Sequence, residues 1–112
     1  MSSEFQREVC YIAKITDEEE RFAMHRVYDK GEGAYEYFDY WLTRTQLRRE
    51  IANPKTRTQR LVLVNRIPES IRQGKSPSLQ MEALSVNDLT EIIEEAGLGS
   101  KYRRGLIRIS DI

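Results

Sequence analysis

A chain of 112 residues with 39% apolar and 32% charged side chains has room for one modest core, is too apolar and too patterned for disorder, and leaves no length for a second domain. Its 18 basic and 18 acidic side chains cancel, which excludes a global field drawing it to nucleic acid or to a membrane surface. Any such partner must be met by a local patch.

In chain order, Glu4 to Ile15 alternates as a strand does, with Phe5, Val9, Tyr11, Ala13 and Ile15 on one side and Cys10 and Ile12 on the other. Apolar residues on both sides suit a central strand rather than an edge. Thr16 to Glu20, TDEEE, has a cap-type residue followed by acids, the pattern of a helix start or an acidic loop. Arg21 to Tyr28 fits a helix ended by Gly31 or a strand. The period-two spacing of Phe22, Met24 and Tyr28 and the turn Asp29 to Gly33, DKGEG, favour a hairpin with the next segment.

That segment, Ala34 to Leu42, holds five of the ten aromatic residues in seven consecutive positions: Tyr35, Tyr37, Phe38, Tyr40 and Trp41. Rings fit the pleated surface of a strand and bury large area there. Thr43, with Gln46 completing a capping box, opens a helix that runs to Ala52 with Leu47 and Ile51 on one face, and Asn53-Pro54 stops it. Arg60 to Ile67, centred on Leu61 to Val64, reads as a buried strand ended by Pro68. Residues 70–79, SIRQGKSPSL, have the composition of a mobile surface loop. Ser85 and Asp88 begin a helix whose apolar face is Val86, Leu89, Ile92, Ile93 and Ala96 and which Gly97 caps. Gly105 to Ile112 alternates as a last strand. The expected fold is a single α+β domain over residues 1–112, with a mainly antiparallel sheet of about five strands and two helices packed on one face.

The zero net charge is a sum of opposites. Residues 1–42 carry five basic and ten acidic side chains, residues 43–75 nine and two, and residues 76–112 four and six. The basic middle supplies Arg44, Arg48, Arg49, Lys55, Arg57 and Arg60, with Arg44 and Arg48 on one helical face. Beside it stand Tyr35, Tyr37 and Trp41. Rings next to guanidinium groups suit a protein interface, and they also suit base stacking with phosphate pairing. Glu36 and Asp39 in the same strand count against phosphate.

Chemistry finds little footing. His25 is the only histidine and Cys10 the only cysteine, so a histidine-rich metal site, a two-histidine acid/base pair and an internal disulfide are excluded. Cys10 and His25 form a nucleophile and base only if neighbouring strands bring them together, and no catalytic motif frames either one. Gly31-Glu32-Gly33 lacks the Lys and Ser/Thr of a phosphate loop, and Asp17 to Glu20 lacks the spacing of a calcium loop. No cofactor and no metal are expected.

MSSEFQREVC has no signal-peptide core and no segment is apolar enough to span a bilayer, so a cytoplasmic protein without membrane contact is expected. The leading expectation is a non-catalytic protein-binding module, a regulator, adaptor or inhibitor of the phage or mobile-element kind, acting through its charge-segregated surface. The alternative is a protein that binds RNA or single-stranded DNA through Arg44 to Arg60 and the neighbouring rings. A small nuclease using Arg, Lys and Tyr is the third reading. A homodimer follows if the RLVLV strand or the last strand lies at a sheet edge.

Overall fold

The structure, a computed structural model, describes residues 7–16, 20–29, 34–52, 60–72 and 80–110. In chain order its elements are β1 (Arg7–Ile15), β2 (Arg21–Asp29), β3 (Ala34–Leu42), α1 (Arg44–Ala52), β4 (Arg60–Val64), α2 (Glu69–Arg72), β5 (Met81–Glu82), α3 (Val86–Glu95), α4 (Gly99–Arg103) and β6 (Ile107–Ser110). The strand order is β3-β2-β1-β4-β6, with β5 pairing the end of β1.

Period-two spacing decides residues 21–29 as a strand. β1 and β2 pair antiparallel from Glu8 opposite Tyr28 to Ile15 opposite Arg21, and β2 pairs antiparallel with β3 in turn. Glu4 to Gln6, the acidic stretch Asp17 to Glu19 and the turn residues Lys30 to Gly33 lie outside the described residues.

The sheet is mixed and six-stranded, which corrects the expectation of a mainly antiparallel one of about five strands. β4 runs parallel to β1, and β6 runs parallel to β4. The reason is the helices. A helix between two strands carries the chain back to the end from which it started, so the next strand enters in the same direction. α1 does this between β3 and β4, and α3 does it between β4 and β6. Two short helices, α2 and α4, add to the two expected. Ser70 to Arg72 belong to α2 rather than to a loop, and the remainder of the expected 70–79 loop lies outside the described residues.

Strand register sorts the side chains. On one face lie Cys10 and Ile12 of β1, Phe22 and Met24 of β2, Leu42 of β3, Leu61 and Leu63 of β4 and Ile107 of β6, all buried. Leu47 and Ile51 of α1 and Leu89, Ile92 and Ile93 of α3 complete the same cluster, so both longer helices cover this face. Their one-sided apolar stripes are what hold them there.

The helix ends are built from local sequence. Thr43 Oγ1 accepts the Gln46 backbone N–H at 3.1 Å while Gln46 Oε1 accepts the Thr43 N–H at 2.9 Å, a complete capping box. Ser85 Oγ accepts from Asp88 N–H at 3.0 Å at the start of α3. At its end Gly97, at φ 79°, lets its N–H reach the Glu94 carbonyl and the Leu98 N–H reach that of Ile93, each at 3.0 Å. Gly105, at φ 82°, ends α4 in the same way through Tyr102 and Lys101.

Candidate functional site

Arg44 and Arg48 do come together on α1, and they face acids rather than open solvent. Arg44 Nε meets Glu95 Oε1 of α3 at 2.8 Å, and its other nitrogens reach Glu20 at 3.2 Å and Glu91 at 3.6 Å. Arg48 reaches the same Glu95 oxygen at 3.3 Å and donates to Thr45 Oγ1 at 3.1 Å. The Arg44 hydrogen bond holds the Glu95 carboxyl below the usual carboxylate range, and the same bond pushes the Arg44 guanidinium up. Residues 24 to 51 positions apart in sequence thus neutralise one another across α1, α3 and the start of β2. Two of the nine basic residues counted in the middle of the chain are engaged in this way.

Arg49 is exposed on α1 and Arg60 is exposed at the start of β4, while Lys55 and Arg57 lie outside the described residues.

The aromatic strand divides its rings between the two faces of the sheet. Tyr37 packs against the helix-covered core, with its hydroxyl donating to Asp39 Oδ2 at 3.2 Å. Phe38 and Tyr40 lie on the opposite face, ring centroids 4.1 Å apart. Phe38 meets His25 edge-on at 4.8 Å, and His25 meets Tyr11 at 6.2 Å, so a row of rings crosses β1, β2 and β3. Glu36 Oε2 stands 3.7 Å from His25 Nε2. Ala13, Ile15, Ala23 and Val64 are buried as well, so this side of the sheet is not open along its length. The side chain of Tyr35 is not among those described.

Trp41 is set apart by a bulge. The β2–β3 register slips between Met24, opposite Asp39, and Phe22, opposite Leu42, which inserts one extra residue into β3. Asp39 Oδ1 accepts the Trp41 N–H at 2.9 Å and so satisfies the donor that the bulge removes from the ladder. Trp41 is left 52% exposed. β3 is an edge strand: among the described residues, no strand pairs with its outer side.

The only thiol and the only imidazole are on opposite faces. Tyr11 is the register partner of His25, so Cys10, one position away, points to the other side of the sheet, where its partner is Arg26. They cannot act as nucleophile and base. Burial pushes the Cys10 thiol up to about 12, against the opposing pull of the Arg26 guanidinium, so it stays protonated at neutral pH.

A polar cluster that the sequence reading did not single out lies beside it. Arg26 is 1% exposed and its Nε is 3.1 Å from Glu8 Oε2, which is itself buried. Its Nη2 donates to the Glu50 carbonyl at 2.7 Å. That carbonyl belongs to the last turn of α1, where no intrahelical N–H is available and where the helix dipole favours a cation. The cluster joins sheet to helix. Its signal was parity: Glu8 and Arg26 share the face of Cys10, Ile12, Met24 and Phe22.

Among the described residues, no group of three or more His, Cys, Asp or Glu side chains is placed to hold a metal ion. Among the same residues, no helix is long and apolar enough to cross a membrane. Comparison with protein-family models, with curated proteins and with solved structures finds no match for this chain.

Proposed function

We propose that this protein is a non-catalytic interaction module that binds a partner protein at the outer edge of β3, with Trp41 as the anchor. The observation that carries the reading is the exposure of Trp41, 52% on an edge strand, where the other large apolar side chains among the described residues are mostly withdrawn from solvent. Exposed tryptophan at a sheet edge offers a partner a large rigid apolar surface beside backbone donors and acceptors. The layout of charge in the sequence supports it less than it first suggests, because Glu20, Glu91 and Glu95 meet Arg44 and Arg48 within the molecule.

The nucleic-acid reading loses support from the same contacts. Releasing Arg44 or Arg48 to a phosphate means giving up carboxylate partners already in place, and the exposed Trp41 has its backbone N–H on the Asp39 carboxylate. The third reading, a nuclease using Arg, Lys and Tyr, is weakened by the same engagement of Arg44 and Arg48, and Cys10 and His25 on opposite faces do not supply a nucleophile and base in their place.

The test is capture with the full chain as bait, wild type beside Trp41→Ala, quantified by mass spectrometry of bound protein and by assay of bound nucleic acid. Trp41 is exposed, so its removal leaves the core intact. The module reading requires a protein retained at moderate salt by wild type and reduced at least tenfold by Trp41→Ala. Retention of nucleic acid alone, or of proteins indifferent to the substitution, contradicts it.

A further inference from the structure

Resting on that reading, we infer that the partner presents an extended segment with a Lys or Arg opposite Glu36, which adds to the sheet as a strand beside β3. Three features of β3 select this occupant. First, it is a nine-residue strand at the sheet edge, long enough to template another. Second, Ala34 to Leu42 contains two acids, Glu36 and Asp39, and no Lys, Arg or Pro. Its edge is therefore of one sign, and the Glu36 side chain is 59% exposed. Third, a ring adjoins the exposed carboxylate: Phe38 is two residues along from Glu36 on the same face, with Tyr40 packed against it beyond. Carboxylate and ring together hold a cation better than either does alone, through ion pairing and the attraction of an ammonium or guanidinium to a ring face.

Alternation fixes the pattern further. Glu36 and Phe38 lie on one face because they are two residues apart, whereas Asp39 lies on the other and is tied to the Trp41 N–H and the Tyr37 hydroxyl. A pairing strand thus sets its cation opposite Glu36 and, two residues along, an apolar side chain opposite Phe38. The bulge at Tyr40 and Trp41 ends the regular ladder, which confines the added strand to Ala34 through Asp39. That span matches the common strand length of about six residues. A second copy of this chain is a poorer occupant. Two β3 strands side by side bring four carboxylates to one seam with no basic residue from either strand.

The experiment is a titration of isotope-labelled protein, followed by backbone amide shifts and the Trp41 indole signal, with three end-blocked ten-residue peptides. One alternates Lys and Val, the second has Glu for every Lys, and the third has Pro for two central Val residues. The inference requires shifts concentrated at Ala34 to Asp39 and at Trp41. It also requires the Lys peptide to bind at least tenfold more tightly than the Glu peptide and at least tenfold more tightly than the Pro peptide, which cannot complete the ladder. Glu36→Lys must reverse the preference between the first two. Equal binding of the Pro peptide means charge attraction without strand addition, and shifts that appear with rising protein concentration alone mean self-pairing. Either result, or no shift in β3, overturns the inference. If capture is lost in Trp41→Ala while no peptide binds β3, the module reading stands and only the basic strand falls; if capture is also indifferent to Trp41, both fall.

Discussion

Arg26 shows how a single residue joins the two layers of this molecule. Its buried guanidinium faces the Glu8 carboxylate and donates to the last turn of α1. Truncating it leaves a buried carboxylate and a helix carbonyl without their cation, so Arg26→Ala is expected to cost about 3–5 kcal/mol in urea unfolding. Replacing Arg26 and Glu8 together by Met and Leu should recover most of that loss, because the desolvation of both charges disappears with them. Cys10 gives a second check. Its thiol is buried and pushed up to about 12, so the folded protein should resist a thiol reagent at pH 8 and react fully once unfolded. Because the folded thiol ionises later than an unfolded one near about 8.5, stability should decline as pH rises above that value. Sequence alternation sets Cys10 and Ile12 on the side opposite Val9, Tyr11, Ala13 and Ile15, and that side is the helix-covered one. The same alternation also places Glu8 and Arg26 there, but charged residues on a strand are ordinarily solvated, and only the register of β1 against β2 shows that they meet.

At the scale of elements, what is local was legible. The capping box of α1 joins residues three apart, and Thr43→Ala is expected to cost about 1 kcal/mol in thermal unfolding. The left-handed turn at Gly97 was also legible. Gly97→Ala should cost about 1–2 kcal/mol from backbone conformation alone, since open space surrounds the position. What joins elements distant in sequence was not legible. No spacing pattern announces that Glu95 of α3 will hold Arg44 and Arg48 of α1. Nor does any show that Asn65 will clamp Leu84, with its Nδ2 donating to the Leu84 carbonyl at 2.8 Å and its own carbonyl accepting the Leu84 N–H at 2.9 Å. β5, at two residues, is too short to carry periodicity. The Glu95 site has its own pH signature. A carboxyl whose folded value is lowered adds stability above its unfolded value, near pH 4.3, and that stability is lost as pH falls through the folded value. Glu95→Gln should therefore lower the melting temperature above about pH 4.3 and leave it little changed at lower pH, which flattens the acid limb of the stability curve.

For the whole molecule, the alternation of strands and helices after β3 carried the signal for parallel pairing, and the short β1-β2-β3 run obscured it. Three strands joined without helices favour an antiparallel reading, yet α1 and α3 each return the chain to the starting end of the sheet. The consequence bears on assembly. β4, with its RLVLV sequence, is paired on both sides and offers no edge for a dimer. β6 lies at an edge with four residues, and β3 lies at the other edge with two carboxylates and a bulge, all features that discourage self-pairing. Sedimentation is expected to show a monomer at high protein concentration, and a dimer would require one of these edges to be closed.

These features leave Trp41 and the edge beside it as the surface on which function is proposed to rest. The most direct test is Trp41 emission from the full chain, titrated in parallel with the captured partner and with mixed single-stranded RNA and DNA at low and then moderate salt. A spectral shift with the partner and silence with nucleic acid is the predicted result. Quenching by oligonucleotides that fades as salt rises would place phosphate and bases at this strand and contradict the account.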